Sequence, residues 1–143
     1  MTALPDPDYQ TEFYQFVASK RLFAWLIDSA LITVLASIAV VLTAFTGLLI
    51  WPLLYLAIGF IYRALTIAGG SATWGMYIAG IELRDLNGRK LDGQGALLHT
   101  AGYTLSMAFP IIQIISILMM LMSARGQGLT DAMLGTVMLN RRA

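Results

Sequence analysis

Residues 29–62 read SALITVLASIAVVLTAFTGLLIWPLLYLAIGFIY, 34 positions without a formal charge. A helix crossing about 30 Å of hydrocarbon needs roughly 20 apolar residues. The run is too long for one crossing and suits two, joined by a tight turn. Thr46-Gly47 and Trp51-Pro52 supply breaking residues near its middle, and Trp51 suits a membrane interface. The pattern predicts helix one over 22–45 and helix two over 50–68.

A second uncharged run covers residues 93–124, with His99 near its start and Pro110 near its midpoint. Proline divides 96–123 into two half-segments, too short to span upright but suited to a re-entrant or tilted hairpin. Lys20 and Arg21 precede helix one, no Lys or Arg lies in the turn after it, and Arg84, Arg89 and Lys90 follow helix two. By the positive-inside rule the N-terminus and residues 78–92 face the cytoplasm. The tail carries Arg125, Arg141 and Arg142. A straight third helix leaves these outside, whereas a hairpin broken near Pro110 returns them, so the rule favours the hairpin.

The whole chain fits this reading. Its 143 residues are 58% hydrophobic and 12% charged, where soluble domains carry about 25% charged residues. A net charge of +1 excludes a disordered chain and argues against a nucleic-acid partner. The absence of cysteine removes disulfides, thiolate metal sites and cysteine nucleophiles, and the single histidine removes a multi-histidine metal centre. No serine–histidine–acid set or paired carboxylates can be assembled, so neither an enzyme nor a cofactor is expected. The expected partners are the lipid bilayer and either further copies of the chain or a larger membrane complex.

Residues 1–20 form an interfacial leader. Asp6, Asp8 and Glu12 are wrong for a signal peptide's basic start, so helix one reads as an uncleaved anchor. Phe13, Tyr14, Phe16 and Val17 predict an interfacial lead-in helix. Residues 69–92 are the water-facing block. Within it, Asn87-Gly88 predicts a β-hairpin over 78–92 that pairs 80–86 with 89–92. A lone hairpin is marginal in water, so residues 135–140 are expected to add a third strand. The fold class is an all-α membrane protein of three membrane segments, or four with the Pro110 hairpin. A small cytoplasmic β-hairpin or three-stranded sheet completes a single domain over 1–143.

Asp28 lies about two turns inside helix one, where a carboxylate costs about 2.5–3.5 kcal/mol unless paired, hydrated or protonated. Arg63, at similar depth in helix two, is its natural partner. One reading makes Asp28 an ion or proton site; the simpler one makes Asp28–Arg63 a buried pair that fixes helix packing. Arg21, seven residues before Asp28 on the same helix face, is expected to snorkel to the headgroups and stack on Trp25. Asp131 caps or orients the tail turn, or joins Arg21 or Arg125 in a polar cluster if the tail returns. His99 is either a pH-sensitive group or a satisfied interfacial residue. Packing in lipid accounts for Met119, Met120 and Met122 better than Cu(I) does, and the two Gly-Gln-Gly stretches, 93–95 and 126–128, read as turns.

Several of these residues fall in blocks with a family resemblance. Arg21-Leu22-Phe23-Ala24-Trp25-Leu26-Ile27-Asp28 resembles the Arg-x-x-Ala-x-x-x-Asp signature of RDD family membrane proteins. Ala72-Thr73-Trp74-Gly75-Met76 followed by residues 80–88 resembles the family's Thr-x-Gly-Lys block. Gly128-Leu129-Thr130-Asp131 with Gly135-Thr136-Val137 is similar to its closing aspartate segment. The likeness implies a bacterial-type inner-membrane protein in which Arg21, Asp28 and Asp131 are the residues that name the family. It also implies transport or ion exchange, expected of an oligomer because three helices alone enclose no pathway; the alternative, which does not come from the likeness, is a non-catalytic accessory or assembly subunit of a larger membrane complex. Met76 stands where relatives usually carry lysine, and His99 where arginine is common.

Overall fold

A computed structural model describes residues 4–140; Arg141 and Arg142, on which part of the tail-charge argument rests, lie outside them. Helix α1 runs Val17–Leu42 and helix α2 runs Trp51–Gly70. On α1, Ala24, Asp28, Ile32, Ala36 and Val40 are buried. This fourth-residue step is a single ridge that turns one face inward and leaves the rest apolar and outward. Both helices are long and apolar enough to cross a membrane. Trp51-Pro52 opens α2 instead of ending a helix, because the first turn needs no proline N–H.

The start of α1 corrects the expectation for the leader. Among the described residues the one helical element before it is the 3-10 turn Thr11–Phe13, and Val17 already belongs to α1. Phe16 sits at φ 58°, a left-handed conformation that stops any lead-in helix from joining α1. Phe13 and Tyr14 pack instead against Leu4, Val137 and Leu139.

Past α2, Thr73 caps the short helix α3 (Trp74–Ala79), its side chain accepting the Met76 N–H. Gly80, at φ 79°, ends α3 and leads into strand β1 (Ile81–Asp85). Asp92 caps α4 (Gly93–Ala108), and Pro110 starts α5 (Pro110–Met122). The chain bends by 117° between α4 and α5. The last apolar run is therefore a broken pair. Among the described residues two helices are long and apolar enough to cross a membrane, or three when the bent pair counts as one. Helix α6 (Leu129–Leu134) and strand β2 (Thr136–Asn140) follow.

The sheet differs from the expected hairpin. It has two strands, β1 antiparallel to β2, with Leu83 opposite Met138 and Asp85 opposite Thr136. Asn87-Gly88 does form a turn, with Gly88 at φ 76° and Asp85 Oδ1 accepting the N–H groups of Asn87 and Arg89. Residues 89–92 nevertheless leave the sheet, because Ser71 occupies the edge of β1 that they would pair with. Its carbonyl accepts the Leu83 N–H, and its hydroxyl donates to the Leu83 carbonyl while accepting the Leu91 N–H. The strand expected at 135–140 is thus the second and not a third.

Nor does the 69–92 block face water throughout. Ile81, Leu83 and Leu91 are buried in a core with Val17, Ile67, Met76 and Met138. That core joins the start of α1 to the sheet, and Lys20 Nζ donates to Asn140 Oδ1 at 2.8 Å. The tail therefore returns to the end of the molecule where α1 begins.

Candidate functional site

Arg21, Trp25 and Asp28 are spaced four and three residues apart, so α1 presents them along one face. His99 and Tyr103 do the same on α4. Between these faces lie two buried polar clusters, each centred on one carboxylate.

The deeper cluster surrounds Asp28, which has no exposed surface. Its Oδ1 accepts the Tyr62 hydroxyl at 2.7 Å and the Gly75 N–H at 2.9 Å, and its Oδ2 accepts the Thr73 hydroxyl at 2.6 Å. Arg63 Nη2 stands 3.9 Å from Oδ2, an ion pair without a direct hydrogen bond. The expected partner is present, but it is not the closest one. Hydrogen bonds to a charged group contribute about 1.5–3 kcal/mol each, against the insertion cost of about 2.5–3.5 kcal/mol. The three donors, more than the guanidinium, keep the carboxylate in place. Arg63 is instead held by Tyr103, its guanidinium 3.9 Å from the ring centroid and its Nη2 donating to the hydroxyl at 3.2 Å. The same hydroxyl accepts the Trp25 Nε1–H at 2.8 Å.

Gly75 is required here by contact. A Cβ on it would strike the Ala24 carbonyl and come within 2.8 Å of the Asp28 carboxyl carbon. Glycine lets the start of α3 approach α1 closely enough for the backbone N–H to reach Asp28.

The shallower cluster surrounds Asp131, also fully buried. Arg21 Nη1 donates to Oδ2 at 2.6 Å, as does the Gly128 N–H at 3.1 Å. Thr136 Oγ1 donates to Oδ1 at 2.8 Å, and His99 Nε2 lies 2.9 Å from the same oxygen. Burial by itself raises the Asp131 pKa. The Arg21 guanidinium, then the His99 ring and the Thr136 hydroxyl, outweigh it and hold the carboxyl well below the usual range. An ionised carboxylate only accepts, so His99 Nε2 carries the proton in this contact.

Of the expected site residues, Arg21 and Asp131 meet directly, and His99 joins them although 32 residues separate it from Asp131. Arg21 therefore turns inward to Asp131 instead of stacking on Trp25, whose indole goes to Tyr103. Asp131 also bonds the N–H at the start of α6, so its turn role and its cluster role coincide. Arg125 stays out of this cluster and lies beside the Tyr14 hydroxyl. Tyr62, Thr73, Gly75 and Tyr103 were not among the expected site residues. The local signal for two of them was the Thr73-Trp74-Gly75 step, a helix cap followed by a residue without a side chain. Among the described residues no group of three or more His, Cys, Asp or Glu side chains is placed to hold a metal ion.

The family model described as the RDD family matches residues 17–135, which include every residue of both carboxylate clusters except Thr136. No curated protein and no solved structure matches the chain. Two apolar helices long enough to cross a membrane, with a buried arginine–aspartate framework between them and the following segments, accompany a match over most of the length: this membrane protein belongs to the RDD family.

Proposed function

We propose that the chain is a non-catalytic accessory or assembly subunit of a larger complex in the inner (cytoplasmic) membrane, with its N-terminus cytoplasmic. The observation that carries this reading is the engagement of both Asp28 oxygens by three fixed donors of its own fold. A carboxylate that carries ions must exchange its partners, whereas this one ties α1 to α2 and to the cap of α3. With both carboxylates committed to internal bonds, the surface left for contact with another membrane segment is apolar helix, such as the exposed Val34, Ile38 and Val41 of α1.

A second reading, ion exchange by a homo-oligomer, draws on one observation. Arg63 is 3.9 Å from Asp28 and better held by Tyr103, so it is placed to compete with a cation without locking the carboxylate.

Purification in mild detergent tests the first reading together with flux measurements in reconstituted vesicles. The expected result is a heteromeric assembly of fixed stoichiometry, with flux equal to protein-free liposomes under Na⁺, K⁺ and proton gradients. Flux above that background, lost in an Asp28→Asn protein that still elutes as a folded particle, would replace it with the exchange reading.

A further inference from the structure

A cavity of about 400 Å³ opens where α4 begins, beside the turn that follows β1. This is within the volume range of small-ligand sites. Its lining includes Asp85, Arg89, Lys90 and Asp92 together with Leu98 and Leu134. The cavity thus brings two acids, two bases and two leucines into one lining.

Among the described residues none of the four charged side chains is in an ion pair. Asp85 Oδ1 accepts two backbone N–H groups at 2.9 Å, and Asp92 Oδ1 accepts the Gly95 N–H at 2.7 Å. Each carboxylate keeps a second oxygen out of these bonds. Arg89 and Lys90 are exposed. Neighbouring opposite charges left unpaired around one concavity fit a ligand that itself carries both signs. The leucines narrow the class further. Leu98 is 48% exposed and Leu97, beside it, 50%, on the helix that starts the last apolar run. The cavity therefore adjoins the start of the last apolar run, and its place between polar headgroups and acyl chains rests on the crossing pattern proposed above.

We propose that this cavity binds a zwitterionic phospholipid whose headgroup ends in a primary ammonium, of the phosphatidylethanolamine type. The phosphate takes Arg89 and Lys90, which match it by charge and donor number. The ammonium takes the second oxygens of Asp85 and Asp92, with N–H donors that a quaternary ammonium lacks. The acyl chain follows Leu98 and Leu134 toward the bilayer. Basic pockets at helix ends commonly select anionic lipid headgroups; the two carboxylates here turn that preference toward a net-neutral headgroup.

The test is lipid titration of the delipidated protein in detergent, read by native mass spectrometry. The probes are phosphatidylethanolamine, phosphatidylcholine and phosphatidylglycerol with identical acyl chains, and free phosphoethanolamine. The expected result is that phosphatidylethanolamine binds about tenfold more tightly than the other two lipids, the size of one charge-assisted contact. Arg89→Gln with Lys90→Gln, and separately Asp85→Asn with Asp92→Asn, each lower that affinity by about the same factor. The amides preserve the backbone caps, and the basic pair lies on the surface, so at least the Arg89/Lys90 variant retains the fold. Equal binding of all three lipids would overturn the proposal in favour of unselective annular lipid. Preferred phosphatidylglycerol, strengthened by the Asp→Asn changes, would replace it with an anionic site. Free phosphoethanolamine binding as tightly as the lipid would replace it with a soluble ligand.

Discussion

The Arg21 guanidinium and the Asp131 carboxylate stand 110 residues apart in sequence and 2.6 Å apart in space. Their contact fastens the first helix to the turn before the last strand. With His99 of α4 bonded to the same carboxylate, it draws α1, α4 and α6 together at one end.

Removing Arg21 leaves Asp131 buried without its principal counter-charge. Breaking a buried pair from one side costs about 3–5 kcal/mol. Arg21→Ala should therefore lower the thermal midpoint in detergent by far more than a change at exposed Lys90. An effect as small as that surface change would show the pair to be ornamental.

The same carboxylate sets a pH dependence. Its folded pKa lies below the ordinary 3.8, so its contribution is complete above that value and declines as pH falls beneath it. Unfolding midpoints should drop between about pH 4 and 3 more steeply for the natural chain than for Asp131→Asn. Parallel slopes would place the acid sensitivity elsewhere.

Glycine substitutions separate contact from propensity. Gly75→Ala drives a methyl into the Ala24 carbonyl and the Asp28 carboxylate and should cost about 1–3 kcal/mol. Gly69→Ala, in α2 with nothing within 4 Å of its new carbon, should gain up to about 1 kcal/mol. Chemical or thermal unfolding of the pair in one detergent reads both signs.

At Asp28 the graded series matters. Asp28→Asn keeps one acceptor and lets one hydroxyl rotate to accept from the amide, at a cost of about 1–3 kcal/mol. Asp28→Ala leaves three donors unmet around a void and should be worse. Equal midpoints for the two variants would show that the three hydrogen bonds matter little beside the charge.

The cysteine-free chain allows single-cysteine labelling without background. Lys90→Cys and Asn87→Cys should react from the cytoplasmic side of sealed vesicles. Leu49→Cys, 87% exposed in the turn between α1 and α2, should react from the opposite side. Labelling of all three from one side would reject the proposed crossing pattern.

The apolar runs made α1, α2 and the Pro110 break legible, because crossing lipid imposes a length that charge-free stretches display directly. Depth within a helix also identified Asp28 and Arg63 as charges in need of partners. What remained hidden depended on contacts between distant segments. Asn87-Gly88 encodes a turn, yet only the fold reveals that Ser71 already holds the edge a returning strand needs. His99 meets Asp131 through the bend between α4 and α5, whose direction proline alone does not specify. Tyr62, Tyr103 and Gly75 carry no formal charge, so nothing in the charge pattern singled them out.

The pairing of residues 81–85 with 136–140 also imposes an order of events during synthesis. A ribosome delivers Ile81 and Leu83 roughly fifty residues before the strand that covers them. Through that interval, which includes the whole last apolar run, the edge of β1 that β2 pairs with stays open. Such an intermediate is open to mispairing with its neighbours. The Asp131 carboxylate and the strand that begins five residues after it then arrive together, so one short stretch of chain closes both the Arg21 contact and the sheet edge.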